Sequence, residues 1–355
     1  MNSKERVLTA LNHEEPDRVP LYVEYTPEAQ QRVFDHLKIP EERRDSPTLA
    51  KLMGHDLLTF QVGPVTSFHF KNDSEYEDEW GIRWKWITNP AGGRYTEIIK
   101  HPLANCTDPK DIVIPDFNRK ELYTDCIDLV NTYGNDYCII GSIVCTLFEL
   151  SWFLRGLTQI MQDMYLNKDF LHALLDHLLT WALEAGVHLV DLGVDIIYTG
   201  DDFGAQTNLL ISPAIFREFF KPRYEKLYSV LKSRNTDLKI AHHSCGYIYP
   251  IIQDFIEIGL DILNPVQPLS MDPLTIKREF GKHLTIWGTV DEQRVLPFGT
   301  VDDVAKEVEL RLRTLAPGGG FILAPAHNVQ VDTSIDNIIA FYRAAKMYGS
   351  YPIRI

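Results

Sequence analysis

The sequence predicts an α/β fold, a (β/α)8 TIM barrel, on three observations. Apolar runs of four to six residues alternate with amphipathic stretches of a dozen or more, the rhythm of βα units around a parallel sheet. About eight such runs occur, marked by Val19, Leu57, Ile139, Ile196, Ile240, Ile262, Ile286 and Ile322, which is the strand number of a closed barrel. No GxGxxG or Walker loop follows any of them, which disfavours an open, doubly wound nucleotide-binding sheet. The 355 residues fit one such domain, 1–355, with additions.

The chain opens with a helix whose Val7, Leu8 and Leu11 share a face, ending before Pro16. Val19 to Val23 then reads as a buried strand stopped at Glu24, followed by a helix from Pro27 to Leu37 and a strand from Leu57 to Val62. Between residues 68 and 100 the texture changes: aromatic and polar residues alternate around Asn89-Pro90-Ala91-Gly92-Gly93. That is hairpin chemistry, so an antiparallel excursion, a lid or rim, is expected there. Beyond it the βα rhythm is regular. Helices are expected over 120–133 and 169–192 and from Ser212-Pro213 to about Ser233, where a serine cap and a first-turn proline mark the start. Strands are expected at 138–143, 194–198, 239–246, 261–264, 284–288 and 321–324, with later helices near 248–258, 274–280, 301–315 and 334–348.

Composition narrows the function. The chain is 45% hydrophobic and 24% charged, with a net charge of -14 and no Lys/Arg block. Nucleic acid and anionic membranes are therefore poor partners. No run of about 18 apolar residues is present to span a bilayer, and the N-terminus lacks a signal-peptide core. Five scattered cysteines (Cys106, Cys126, Cys138, Cys145, Cys245) fit reduced thiols in a cytoplasmic protein better than a disulfide framework.

Barrel chemistry sits at the C-terminal ends of the strands. Those ends carry Glu24, Ser142 to Cys145, Asp201-Asp202, His243 and Cys245, Asn264 and Gln267, Gly288 to Asp291, and His327-Asn328. His55-Asp56 precedes its strand and fits the rule less well. In KIAHHSCG, His243 and Cys245 are two apart and point to one side of a strand, whereas His242 points the other way. Thiolate and imidazole together suit zinc, and His327, in the loop after the last strand, is placed to be a third ligand. Three protein ligands with one open position is the pattern of a catalytic zinc. Glu24, Asp201, Asp202, Gln267 and Asn328 are the candidate catalytic side chains. Asp201 and Asp202 have an alternative role as caps for the next helix. The aromatic residues Trp80, Trp84, Trp86 and Tyr95 serve either cross-strand packing or a substrate wall.

KERVLTALNHEEPDRVPL, GDDFGAQTNLLISPAIFREFFKPRYEKL, HHSCGYIYPII, DILNPVQP, IWGTVDEQRVLPFGT and GGGFILAPAHNVQVDT together resemble the uroporphyrinogen decarboxylase superfamily over nearly the whole chain. That resemblance implies one of two chemistries: cofactor-free porphyrinogen decarboxylation, or zinc-dependent methyl transfer with a corrinoid (cobalamin) protein. The decarboxylases carry an arginine-rich segment after the first strand, where this chain has Leu21 to Pro27 without arginine. Asp56 and His327 resemble their conserved aspartate and histidine, which keeps decarboxylation as the alternative. The methyltransferase branch places His-x-Cys and a later cysteine on zinc. His243 and Cys245 match, while the later cysteine is absent and His327 stands as its replacement.

One thiolate and two neutral imidazoles leave a net +1 on Zn²⁺, a stronger Lewis acid than a two-thiolate site and suited to an ether oxygen. The resemblance thus implies a methyltransferase of O-demethylase type. It would take a methyl group from a small methylated compound, an aromatic methyl ether, to the Co(I) corrinoid of a partner protein, and it leaves room for a homodimer. A non-catalytic subunit that docks a corrinoid protein is the third reading.

Overall fold

The computed structural model describes residues 1–63, 74–108 and 112–353. Strand β1 (Leu57–Gln61) is followed by an antiparallel set, β2 (Glu75–Glu77), β3 (Arg83–Thr88) and β4 (Arg94–Lys100). Six more strands follow: β5 (Cys138–Val144), β6 (Ile196–Gly200), β7 (Lys239–His243), β8 (Ile262–Asn264), β9 (Thr285–Trp287) and β10 (Phe321–Ile322). The order β1-β5-β6-β7-β8-β9-β10 makes one seven-stranded sheet, and every pair in it is parallel. The βα connections carry helices such as Lys168–Leu192, Lys221–Arg234 and Val301–Leu315, whose apolar faces join the outer core.

Side-chain alternation divides the core in two. Cys138, Ile140, Ile196, Tyr198, Ala241, Ile262, Trp287 and Ile322 meet one another and Tyr22 on the concave side. Ile139, Ile143, Ile197, Ile240, Leu263, Ile286 and Phe321 pack outward under the helices. First and last strands contribute to one inner core only because the sheet curls.

The expected first strand, Val19 to Val23, is buried but is not a regular strand. Leu21 bridges Leu323 in parallel, Leu323 N–H donates to the Pro20 carbonyl at 2.9 Å, and Asp56 N–H donates to Leu21 O at 2.8 Å. The segment thus bonds both to the residues following β10 and to those preceding β1. Pro20 has no N–H to extend a ladder, and seven strands rather than eight are hydrogen-bonded as a sheet among the described residues.

The excursion is antiparallel as expected, with Trp84 opposite Ile98 and Trp86 opposite Thr96; its expected start, residues 68–73, lies outside the described residues. Buried Asp78 holds its base by accepting from Trp80 N–H, Ile82 N–H and Trp84 Nε1. Trp80 packs on Phe117 and Trp181. Among the described residues no helix is long and apolar enough to cross a membrane.

Asp56, the residue that resembles the decarboxylases' aspartate, lies at the opposite end of the sheet from the candidate site. It precedes β1, is fully buried, and accepts from Arg6 at 2.6 Å, from Arg18 at 2.7 and 2.8 Å, and from Leu21 N–H at 2.9 Å. Those partners make it a structural ion-pair hub. Arg6 also grips Asp17, at 2.7 and 2.8 Å, and its hydrogen bonds pull the Asp17 carboxyl down to about 2. A depressed carboxyl adds stability above its unfolded pKa and loses it as pH falls through the folded one. The full shift is worth about 2 kcal/mol; with 44% of the side chain exposed, screening leaves about 1 kcal/mol. Because pH 3 still lies above the folded value, urea denaturation at pH 5 and pH 3 should show Asp17→Asn losing about 0.5 kcal/mol less than the parent on acidification. Equal losses would discard the assignment.

Candidate metal centre

β7 delivers the first donor. His242 turns outward into a box of Phe203, Tyr224, Tyr228 and Phe255, where its Nδ1 meets Thr199 Oγ1 at 2.9 Å. His243 turns inward. Cys245 lies beyond the end of the strand, so the loop rather than strand alternation aligns it. Its N–H donates to Asp202 Oδ1 at 2.7 Å, and the next N–H, of Gly246, donates to Gln267 Oε1. Gly246 has φ +80°, and a Cβ there would meet Ala205 O at 2.5 Å; only glycine permits this turn.

The result brings Cys245 Sγ to 3.4 Å from His243 Nε2. One donor atom from each of His243, Cys245 and His327 lies within 4.8 Å of the others. Bonds of zinc length in tetrahedral geometry need donors roughly 3.3–3.8 Å apart, a small contraction from this arrangement.

Hydrogen bonds turn the donors toward one another. Asn264 Nδ2 donates to the Trp287 carbonyl at 3.2 Å, which fixes the amide so that Oδ1 faces Tyr198 OH at 2.5 Å and His243 Nδ1 at 2.7 Å. Nδ1 therefore carries the proton, and the Nε2 lone pair is free on the Cys245 side. His327 Nδ1 likewise donates to Asn328 Oδ1, which also accepts from Gln330 Nε2 at 3.0 Å. Gln267 Nε2 lies 3.7 Å from Cys245 Sγ. Gln267 and Asn328 are thus placed to orient donors.

Burial pushes the Cys245 thiol well up, and the charges that reach it, from Asp202, Glu149 and Glu292, are all negative. Burial likewise raises Glu149 and Glu292 well above the usual carboxyl range. The Glu292 oxygens are buried, and the His327 backbone N–H is the group that favours their charge. Burial, then His243, lowers His327. A thiol held protonated by its surroundings, a His327 imidazole disfavoured as a cation and a surround of acidic side chains form a site short of positive charge. A divalent cation supplies that charge, and one sulfur with two imidazole nitrogens is a donor set zinc accepts. The residues fit the ion.

Sequence reasoning did not reach Glu149, in the first turn of the helix after β5, or Glu292, one residue past the loop it read after β9. Both follow strand C-terminal ends, so a longer reading of those loops would have found them.

The two aspartates part company. Asp202 Oδ1 is 3.6 Å from His243 Nε2, beside the donors. Asp201 is fully buried and accepts from the N–H groups of Leu147, Phe148 and Glu149 at 2.8–2.9 Å and from the Tyr224 hydroxyl. It caps the helix Phe148–Arg155, which precedes it in the chain, not the helix that follows. Its carboxylate has no capacity to spare for chemistry.

A cavity of about 650 Å³ opens beside the donors. Tyr22, Glu24, Thr59, His327 and Asn328 border it on the sheet side, and Trp86, Arg94, Tyr95 and Thr96 of the excursion form a facing wall. Trp80 and Trp84 are buried in packing, whereas Trp86 and Tyr95 border the cavity. A smaller space of about 60 Å³ is lined by His243, Tyr198 and Trp287 and shares Glu24 and His327 with the larger cavity. The Glu24 side chain is exposed into the cavity; its carboxylate accepts from Tyr22 OH at 3.1 Å, and desolvation by the surrounding walls raises its carboxyl above the ordinary range. His55 also borders the cavity, held neutral by burial and bonded through Nε2 to Tyr342 OH at 2.6 Å.

Comparison with known proteins agrees with this architecture. Methylcobamide:CoM methyltransferase MtaA of Methanosarcina barkeri is 25% identical over 232 residues, 65% of this chain and 65% of that protein. The uroporphyrinogen decarboxylase of Synechococcus sp. (strain CC9605) is 23% identical over 223 residues, 61% of this chain and 60% of that protein. The chain thus spans just under two thirds of these relatives. A solved structure of a methyltransferase from Methanosarcina mazei superimposes with a TM-score of 0.75 over 98% of this chain and 99% of that one; at 20% identity the likeness is one of fold. The family model for uroporphyrinogen decarboxylase (URO-D) matches residues 89–348. By that match, which takes in β4 to β10 and every donor, this chain belongs to the uroporphyrinogen decarboxylase family.

Proposed function

We propose that the protein is a zinc-dependent methyltransferase that moves a methyl group from an aryl methyl ether to the Co(I) corrinoid of a partner protein. The observation that carries this reading is the convergence of His243, Cys245 and His327, the last of which borders a cavity with an aromatic facing wall. In the same reading, 1–355 is one domain, and residues 19–23 complete an eight-membered (β/α)8 ring between β10 and β1. MtaA, a relative, is named for a reaction of methylcobamide, which favours a corrinoid partner.

His243 Nε2, Cys245 Sγ and His327 would hold the ion, with Asn264, Gln267 and Asn328 setting their orientation. Zinc bound there would supply Lewis acidity toward the ether oxygen. Asp202 adds a negative charge next to the donors, which offsets part of the +1 expected for the three ligands alone. The aromatic wall of Trp86 and Tyr95 would hold the aryl ring. In the transfer the methyl carbon bonds to cobalt through the two electrons of Co(I), and the C–O pair leaves on the aryl oxygen. Glu24, the acid bordering both spaces, is placed to deliver the proton that turns phenoxide into phenol.

The decarboxylase alternative meets an electrostatic obstacle. The charged side chains bordering the cavity, among the described residues, are Glu24, Glu28 and Arg94, a poor receptor for a substrate with many carboxylates. Incubation with reduced corrinoid protein and a panel of methoxyarenes should yield methyl-corrinoid and the matching phenol in equal amounts. Coproporphyrinogen from uroporphyrinogen, with no methyl transfer, would establish the decarboxylase instead.

A further inference from the structure

We propose that Arg94 anchors an anionic substituent of the substrate, so that the methyl donor is an aryl acid of the methoxybenzoate type rather than a neutral methoxyarene. The aryl ether comes from the methyltransferase reading above; the negative charge comes from Arg94 itself.

Arg94 is the one cationic side chain bordering the large cavity among the described residues, and it shares that border with the carboxylates of Glu24 and Glu28. It enters no ion pair among the described residues; its guanidinium lies 4.2 Å over the Trp86 ring. That stacking uses the flat face of the guanidinium and leaves its N–H edge free, the geometry that grips a carboxylate with two parallel hydrogen bonds.

The hairpin fixes the backbone that carries Arg94. Arg94 is the first residue of β4, in register with Thr88, and the turn between them is closed by Asn89 N–H to Gly93 O at 2.9 Å. Asn89 Oδ1 also accepts from Ala91 N–H at 3.0 Å and Gly93 N–H at 2.9 Å. A protein of net charge -14 with acidic residues on the cavity border, Glu28 among them, disfavours anionic substrates unless a cation offsets that charge. A neutral arene needs no such offset.

The experiment is equilibrium binding to the zinc-loaded protein, read by calorimetry, without methyl transfer. The ligands are 4-methoxybenzoate and its neutral counterpart, 4-methoxybenzyl alcohol. The acid should bind about tenfold tighter or better. Arg94→Gln should erase that preference while leaving the alcohol unchanged, and Arg94→Lys should restore part of it. Arg94 is exposed, so the variants should melt with the parent. No preference for the acid in the parent protein, or an equal loss for both ligands in Arg94→Gln, overturns the proposal. A preference that depends on Arg94, in a protein that transfers no methyl group, upholds the anion site and sinks the methyltransferase reading. Transfer from neutral arenes with no preference for the acid does the reverse.

Discussion

Replacing Cys245 with serine should strip the protein of zinc and of methyl transfer together. Cys245 supplies the only anionic donor of the three, and a serine hydroxyl in its place stays protonated and binds zinc poorly. Losing a hydrogen-bond partner of a ligand costs roughly 10–100-fold in metal affinity, and losing the thiolate itself should exceed that. Elemental analysis of the purified variant should find less than about a tenth of an equivalent of zinc where the parent holds about one.

The fold should be spared. Serine is nearly isosteric, and the backbone N–H bonds of Cys245 and Gly246 to Asp202 and Gln267 do not involve the sulfur. A Cys245→Ser protein that folds, keeps a full equivalent of zinc and still transfers methyl groups would remove the metal centre from the mechanism. A variant that keeps zinc but loses transfer would assign the thiol a role other than ligation.

That residue also shows how far the sequence reaches. Strand alternation separates His243 from His242 correctly, because both lie within β7. It pairs His243 with Cys245 for a reason that only half holds, since Cys245 is past the strand and is aligned by Asp202, Gln267 and the glycine turn. Those contacts join residues 21 to 43 positions apart in the chain, and no local pattern encodes them.

His327 was within reach because a barrel returns its last loop to the same mouth. Asp56 resembles the decarboxylases' aspartate in local context, but its place before its strand, legible in the sequence, already sets it at the far end of the sheet. The first strand is visible as an apolar run, but Pro20 withholds a ladder donor, so the run is buried without becoming a regular strand. The excursion shows the same limit: its alternation declares a hairpin and is silent on which aromatics face a cavity. Trp80 and Trp86 look alike in sequence and differ in what the helices and the sheet leave uncovered.

Asp201 gives the second large effect, and it falls on stability. Leu147 stands at the N-cap of the helix Phe148–Arg155 and has no side-chain oxygen to offer. Asp201 supplies it from the next strand's end, accepting three backbone N–H groups and the Tyr224 hydroxyl inside the protein. Burial pushes its carboxyl up to about 6 against those donors, so at neutral pH it is the anion that holds them. Asp201→Ala leaves four buried donors unpaired and should cost about 3–5 kcal/mol in urea denaturation. The folded fraction should still bind close to a full equivalent of zinc, because the Asp201 side chain touches none of the three donors and the residue's backbone N–H bond to the His243 carbonyl survives the substitution. Had Asp201 been a catalytic carboxylate, as its strand-end position suggests, the loss would fall on turnover at unchanged stability. The cap therefore explains why an acidic residue stands at this strand end without facing the cavity.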